Sequence, residues 1–124
     1  MRATNVVQAH TGSVHALACA PDGQTFASGG ADGTVKRWDV VTGKERDTLR
    51  GHSQAVSSMM YTRDGKTLAT AGLDGRLHLW ETATGNVQVC WKFPGPIHGL
   101  AFAPDGDRLA VAHSNGFVYL LRRY

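Results

Sequence analysis

The chain has 124 residues, the length of one ordinary domain, and a globular composition with 42% hydrophobic and 19% charged residues. Its net charge of +3 is spread along the chain. Because a nucleic-acid footprint needs clustered Lys and Arg, we expect no nucleic-acid partner. The N-terminus lacks the apolar run of a signal peptide, and no segment is long and apolar enough to span a bilayer. We therefore expect a cytoplasmic protein without a membrane partner.

Turns divide the first third of the chain into short segments. A small, apolar run ends at the Pro-Asp-Gly turn of residues 21–23. Asp32-Gly33 is a strong signal for a two-residue hairpin, and Thr42-Gly43 marks the next turn. Turns at this spacing without helical periodicity predict an all-β meander. The four predicted strands span residues 14–20, 25–29, 35–40 and 46–50.

The same pattern returns twice along the chain, with a period of 41 to 42 residues. Trp38-Asp39 recurs as Trp80-Glu81. The third copy is one residue shorter, and we place the missing residue between Phe93 and Ile97. A period of this length indicates three structural repeats. The recurring segments are the turns at 21–23, 63–65 and 104–106 and the hairpins at 27–35, 69–77 and 110–118.

Gly51-His52, the Pro-Asp-Gly turn, the Ser/Thr-x-x-x-Asp-Gly segment and Trp38-Asp39 resemble the WD40 repeat, and the resemblance covers nearly the whole chain. It implies three blades of a β-propeller, each a four-stranded antiparallel sheet. It also implies a non-catalytic protein-interaction scaffold. We expect a single three-blade unit with repeats over about 4–45, 46–86 and 87–124, each starting with its outer strand.

The resemblance further implies a hydrogen-bonded tetrad of His, Ser or Thr, Asp and Trp in a blade. Trp only donates and a carboxylate only accepts, whereas a hydroxyl and an imidazole do both, so the four groups satisfy one another. A catalytic His/Ser/Asp interpretation is disfavoured because the trio occurs twice, always with the Trp, and we expect no enzyme. The third repeat has Phe93, Val111, Asn115 and Leu121 instead. The structural tetrads are His10, Ser28, Asp32 and Trp38 in blade one, and His52, Thr70, Asp74 and Trp80 in blade two.

Three blades cannot close a propeller, which usually has about four to eight. Residues 4–9 align with the outer strand at 46–51, and residues 117–122 align with the third strand at 35–40. We therefore expect the N-terminal strand of one copy to complete the third blade of another. The partner is then the chain itself, with nine blades as a trimer favoured over six as a dimer.

Two alternatives to this self-assembling scaffold stay open. The chain is either the C-terminal piece of a longer WD40 protein, or a purely structural or engineered ring with no partner. The initial Met and the matching ends favour an intact unit.

Arg37 departs from the repeat, because Leu79 and Leu120 occupy its position in blades two and three. A buried unpaired charge is costly. We expect the stem of Arg37 to lie along the sheet with its head in water, and the alternative is a salt bridge across the seam between subunits. The candidate seam residues are Val6, Val7, Arg37, Val118 and Leu120.

Partner binding is expected on the top face, defined by the outer-to-inner loops and the mid-blade hairpin turns. The face has few aromatic or charged anchors, so no particular protein or peptide follows from it. Cys19 and Cys90 form no metal-ligand pair, and we expect no metal and no cofactor. Cys19 takes the strand position of Tyr61 and Phe102 and is predicted to be a small core residue. The candidate top-face residues are Ser13, His15, Ala31, Ala55, Ser57, Leu73, Pro96, His98 and Ser114.

Overall fold

The computed structural model describes residues 1–3 and 6–122 and consists of short β-strands joined by turns. None of the described residues forms a helix that could cross a membrane. The strands of the described part are β1 (Val14–Cys19), β2 (Thr25–Gly30), β3 (Thr34–Asp39), β4 (Glu45–Arg50), β5 (Val56–Tyr61), β6 (Thr67–Gly72), β7 (Arg76–Glu81), β8 (Val87–Lys92), β9 (Ile97–Phe102), β10 (Arg108–His113) and β11 (Val118–Arg122).

The strands form three antiparallel sheets, which are the three predicted blades. Blade one is β1-β2-β3-β4, blade two is β5-β6-β7-β8, and blade three is the three-stranded sheet β9-β10-β11. Gly33 and Gly75 form the mid-blade turns with φ of 81°. A Cβ on Gly33 would lie 2.9 Å from the His52 carbonyl oxygen. Glycine is therefore needed both for the positive φ and for the close approach of the neighbouring loop.

Each blade turns a forward face to the next blade along the chain and a rear face to the preceding one. Small side chains dominate the forward face of blade one, and larger ones dominate the rear face of blade two. The two faces therefore pack closely against each other. Burial is greatest in blade two, where every residue of β6 is buried. The core between blades one and two contains Ala16, Ala20, Ala27, Val35 and Leu49 packed with Val56, Met59, Tyr61, Leu68 and Trp80.

The second contact, between blades two and three, is built in the same way. Ala69, Ala71, Leu77 and Leu79 on the forward face of blade two pack with the rear face of blade three. The rear face supplies Phe93, Ile97, Leu109 and Val111. Among the described residues, the rear face of blade one and the forward face of blade three pack against no other blade.

The position predicted for the missing residue of the third repeat is wrong. Arg50 pairs with Thr34 and Lys92 with Arg76, so the outer strands end at equivalent points. A Cβ on Gly75 would lie 2.6 Å from the Phe93 carbonyl oxygen, just as Gly33 approaches that of His52. Phe93 therefore matches His52, and the residue that the third repeat lacks is the equivalent of Gly51.

One sequence prediction at the rear of blade one is wrong for the single chain. Cys19 is exposed and not a core residue, because no blade in the described part of the chain packs against the rear face of blade one. The outer strand at 4–9 was assigned to the third blade of another copy and stays a prediction: residues 6–9 belong to no strand in the single chain, and residues 4 and 5 lie outside the described residues.

Candidate functional site

The tetrad of blade two is a chain of four buried polar groups that links three parts of the blade. The indole Nε1 of Trp80 on β7 donates to the hydroxyl of Thr70 on β6 at 2.9 Å. His52 Nε2, in the loop before β5, lies 2.8 Å from the same hydroxyl, and its Nδ1 lies 3.3 Å from Asp74 Oδ1 in the hairpin turn. Since the carboxylate only accepts, His52 Nδ1 carries the proton and Nε2 accepts from Thr70.

Asp74 is the acceptor that fastens the loop to the turn. It accepts the backbone N–H of Ser53 at 2.9 Å and that of Arg76 at 3.0 Å. Its side chain is only 2% exposed. Burial raises the pKa of Asp74, but these two N–H groups and His52 outweigh burial and hold the pKa below its usual value. The carboxylate is therefore charged at neutral pH.

The tetrad of blade one has the same connections but is more open to solvent. Trp38 Nε1 donates to Ser28 Oγ at 2.9 Å, and His10 Nε2 lies 2.7 Å from that oxygen. His10 Nδ1 lies 3.1 Å from Asp32 Oδ1, which also accepts the Thr34 hydroxyl at 2.8 Å. The side chain of Asp32 is 23% exposed. Both tetrads hold the loop before the inner strand against the mid-blade turn. The polar groups of each tetrad are hydrogen-bonded to one another, so their role is structural.

His78 enlarges the polar cluster of blade two, and its partners were not predicted from the sequence. Its Nε2 donates to the carbonyl oxygen of Gly51 at 3.1 Å, and its ring stands perpendicular to that of His52 with centroids 4.7 Å apart. Burial lowers the pKa of both histidines, and Asp74 offsets only part of this for His52. Both imidazoles are therefore neutral at neutral pH.

Blade three replaces the tetrad with an aromatic cluster. Phe93 lies 4.9 Å from the ring of Tyr119, and the His113 ring meets Tyr119 edge-on at 5.6 Å. His113 takes the position of Gly72, where a Cβ would lie 2.8 Å from His52 Nδ1. The strand histidine of blade three thus occupies space that the loop histidine fills in blade two.

The replacement of the tetrad in blade three also involves Pro94, the residue that follows Phe93. Ser53, its equivalent in blade two, donates the backbone N–H that Asp74 accepts, and proline has no N–H to donate. Asn115, at the Asp74 position, instead accepts the Phe117 N–H at 2.9 Å and donates to the Tyr119 hydroxyl at 3.2 Å. The loss of the tetrad hydrogen bond could have been predicted from the sequence, because a proline beside the tetrad position removes the backbone N–H that the aspartate accepts.

The prediction for Arg37 is wrong in both of its alternatives. The guanidinium forms a bidentate ion pair with Asp47, the residue directly opposite on β4. It also donates to the carbonyl oxygen of Thr82 in blade two. It therefore belongs to the contact between blades one and two and not to a seam between subunits. The hydrogen bond with Asp47 raises the pKa of Arg37 further, although burial opposes it.

The other candidate seam residues are exposed in the single chain. Val118 and Leu120, on the forward face of blade three, are 63% and 80% exposed. Val6 and Val7 precede blade one and are 94% and 42% exposed.

The candidate top-face residues are brought together blade by blade through backbone hydrogen bonds. Ala31 N–H donates to the Ser13 carbonyl oxygen at 2.8 Å, and Ser114 N–H donates to that of Pro96 at 3.1 Å. Ser57 is different, since its hydroxyl donates to the carbonyl oxygen of Ile97 in blade three and is already used between blades. No group of His, Cys, Asp and Glu in the described part of the chain has the arrangement of a metal site.

Comparison with known proteins identifies relatives that are similar over about a third of this chain. A splicing factor of Yarrowia lipolytica, PRP46, is 48% identical over 44 residues, which is 36% of this chain and 10% of that protein. The small ribosomal subunit protein RACK1y of Oryza sativa is 50% identical over 38 residues, which is 31% of this chain and 11% of that protein. The chain therefore spans about a tenth of the length of these curated relatives.

The β-propeller domain of Cps50 (Swd1) from Myceliophteria thermophila superposes on 96% of this chain with a TM-score of 0.87 and 28% identity, and the match covers 36% of that chain. The model of the WD domain, G-beta repeat, matches residues 2–39, 43–81 and 87–120. The three repeats and the three sheets agree with these matches, and the chain belongs to the WD40 repeat family.

Proposed function

We propose that this chain is a non-catalytic protein-interaction scaffold that closes into a β-propeller with copies of itself by exchanging its N-terminal strand. WD40 propellers are generally non-enzymatic and bind protein partners. The observation that carries the self-assembly is that the two uncovered faces of the chain have the same character as the two faces that meet inside it.

The forward face of blade three repeats the forward face of blade one. Ala110 and Val118 occupy the positions of Ala27 and Val35, which are fully buried against blade two. Leu120 occupies the position of Arg37 and is 80% exposed. An apolar surface of this kind in an aqueous solvent favours association with a complementary surface.

The rear face of blade one supplies that complement. Leu17 and Phe26 occupy the positions of Met59 and Leu68, the large residues that blade two packs against blade one. Cys19 has the position of Tyr61. Because small residues meet large ones in the internal contact, the forward face of blade three fits the rear face of blade one in another copy. A contact between unlike faces is head-to-tail and gives a ring when it closes.

An open position beside β11 supports the exchange of the N-terminal strand. The third strand of blade two is followed by β8, whereas the described part of blade three ends at β11. Val89 and Trp91 on β8 face this open position and are 44% and 51% exposed. In the alignment of the outer strands, Val6 of an incoming strand would face them. An added strand would also pair the free backbone groups of β11, which otherwise form an exposed edge.

We further propose a trimer with nine blades, favoured over a dimer with six, because widening a ring relaxes contacts near the axis whereas narrowing compresses them. Each chain then contributes one three-blade unit with repeats over about 4–45, 46–86 and 87–124. A protein or peptide would bind the top face of the ring, which the predicted residues of each blade line. The cytoplasm is the proposed compartment.

A purely structural ring without a partner is the second candidate, since the top face offers no Trp, Tyr or Arg among its predicted residues. A pull-down with the assembled protein, compared with a His15→Glu/His98→Glu variant, distinguishes the two. Specific capture that the variant loses supports the scaffold, and identical capture by both proteins supports the structural ring. A third candidate, a piece of a longer WD40 protein, predicts that the chain stays a single copy.

Native mass spectrometry tests the assembly itself. A trimer has three times the 13.3 kDa of the chain. Leu120→Glu should reduce the mass to that of one chain, since it places a charge in the seam. Phe117→Glu is the matched control, because Phe117 is similarly exposed in the same hairpin but precedes β11 at the turn. A wild-type chain that stays monomeric at micromolar concentration contradicts the proposal.

A further inference from the structure

We propose that the top face of blade three binds an acidic side chain of a partner protein, with His113 as a hydrogen-bond donor to the carboxylate. The site is the blade-three notch, formed by Gly95 in the loop before β9 and by His113 and Ser114 at the end of β10. It rests on the protein-interaction role proposed above and names the chemistry of one contact on that face. All three residues lie within one chain, so the notch does not depend on assembly into a ring.

The imidazole of His113 is buried and has one polar atom without a partner. The residue is only 7% exposed. Its Nδ1 accepts the backbone N–H of Asn115 at 3.1 Å, so the ring proton lies on Nε2. Nε2 has no hydrogen-bond partner among the described residues. An unpaired buried donor carries a desolvation penalty, and an acceptor that reaches Nε2 removes it.

Gly95 leaves space beside this donor. A Cβ on Gly95 would lie 3.4 Å from His113 Cε1, 3.6 Å from Nε2 and 3.4 Å from the hydroxyl oxygen of Ser114. The notch therefore borders two donors, the imidazole N–H and the exposed Ser114 hydroxyl. Nε2 is covered in the free chain, so a ligand oxygen has to displace the Ser114 side chain or the Gly95 backbone slightly to reach it.

The notch is particular to blade three. In the strand pairing, blades one and two have Gly30 and Gly72 at the position of His113. Blade two has Gln54 at the position of Gly95, because the mid-blade turns approach the carbonyl oxygens of these two residues at 3.0 and 2.9 Å. Blade two therefore has a side chain where blade three has space, and no imidazole behind it.

The charge around the notch favours an acidic ligand. Residues 93–99 and 112–118, which form the top of blade three, contain no Asp or Glu. Lys92 is exposed and directly precedes the loop, and its Nζ lies 3.5 Å from the carbonyl oxygen of Asp74, in the turn that the loop contacts. The Asp74 carboxylate is buried and paired within its own tetrad. A carboxylate ligand thus meets two donors and a positive charge on the same loop.

Histidine and amide NMR of the full chain tests the site with two matched peptides. The probes are N-acetyl-Gly-Glu-Gly-amide and the same peptide with Gln in place of Glu, which has the same shape without the charge. The Glu peptide should shift the His113 Nε2–H signal and the amide signals of Gly95 and Ser114, and these shifts should saturate at about millimolar concentration. The Gln peptide should bind about tenfold or more weakly, because a charged acceptor makes the stronger hydrogen bond.

Two variants remove the site in different ways. His113→Phe keeps a ring that can contact Phe93 and Tyr119 but has no N–H to donate. Gly95→Gln fills the notch with the side chain that blade two has there, and Gly95 has no positive φ that would oppose it. Each should weaken binding of the Glu peptide by about tenfold or more. The matched control is Gln54→Gly, which opens the equivalent loop of blade two and should leave binding unchanged.

The outcomes separate this site from the general scaffold role. The notch is wrong if the Glu peptide gives no saturable shift, if both peptides bind equally, or if neither substitution weakens binding; the pull-down then still decides the scaffold. A chain that binds the Glu peptide at the notch but captures no protein in the pull-down keeps the carboxylate site and contradicts the scaffold.

Discussion

Blades two and three hold the same loop to the same turn with different chemistry. Blade two uses four polar groups that pair completely, from the Trp80 indole to the Asp74 carboxylate. Blade three uses the contacts of Phe93, His113 and Tyr119. The comparison shows that the polar set is kept or lost as a unit, since a partial set leaves buried groups without partners and each costs about 1–3 kcal/mol.

The comparison also shows that the two blades differ in completeness. Blade two has four strands, and blade three has three in the described part of the chain. In the described part of the chain, blade two packs against another blade on both faces and blade three on one.

Removing residues 1–9 should abolish assembly and affect blade three far more than blade two. The deletion takes away the strand proposed to complete blade three and leaves the edge of β11 exposed. Native mass should fall to one chain or the protein should aggregate, and amide exchange should rise at β11 while β7 stays protected. Deletion of residues 1–3 is the control and should keep the assembled mass. A shortened protein that retained the mass of the ring would rule out strand exchange.

Thr70→Val should lower the free energy of unfolding by about 2–6 kcal/mol. Valine matches threonine in shape but leaves the Trp80 indole N–H and His52 Nε2 without partners, and each costs about 1–3 kcal/mol. Urea unfolding at fixed chain concentration measures the change. Thr48→Val serves as the control, because its hydroxyl donates to the carboxylate of the exposed Glu45. Equal effects of the two changes would mean that the tetrad adds no stability.

Acidification should destabilise blade two before the carboxylates titrate. Burial lowers the pKa values of His52 and His78 below 6.5, so the unfolded chain binds more protons than the folded one as the pH falls below about 6.5. The free energy of unfolding should therefore fall from that pH downward. Asp74, whose pKa is lowered, contributes stability that is lost only as the pH falls below about 3.8.

His78→Tyr sharpens this test, because it gives blade two the residue that blade three has as Tyr119. The variant should show a shallower loss of stability between about pH 6.5 and 5. Urea midpoints across the range measure the slope. An unchanged slope would assign the pH dependence to other groups.

Asn115→Asp should change stability by no more than about 0.5 kcal/mol. It restores the tetrad aspartate in blade three, but Pro94 supplies no N–H and Phe93 no imidazole, so the carboxylate gains neither of the contacts that Ser53 and His52 give to Asp74. The exposure of Asn115 limits any desolvation cost. Thermal unfolding at neutral pH measures the effect, and a stabilisation above about 1 kcal/mol would contradict the role assigned to Pro94.

The repeat period sufficed to predict the blades, because a spacing of about 42 residues with turns at fixed offsets leaves few alternatives. The positions of the tetrad residues were implied by the resemblance to the WD40 repeat. The contact of Arg37 with a carbonyl group of blade two was not predicted. The alternation of side chains along a strand assigns each side chain to one face of the sheet, but it does not indicate which carbonyl group lies opposite. The ion pair of Arg37 with Asp47 could have been predicted, because Asp47 lies opposite Arg37 across the Thr42-Gly43 turn. The assignment of the missing residue to the Gly51 position could not be made from the sequence, because it depends on the backbone geometry of the two outer strands and the loops that follow them.

The three tryptophans have different environments. Trp38 and Trp80 are buried and donate to hydroxyls, whereas Trp91 is half exposed beside the open position next to β11. The intrinsic fluorescence of the protein therefore contains one component that responds to solvent and two that do not. Filling of the open position should shift the emission to shorter wavelength and protect Trp91 from a soluble quencher, which gives an optical signal for ring closure without any added label.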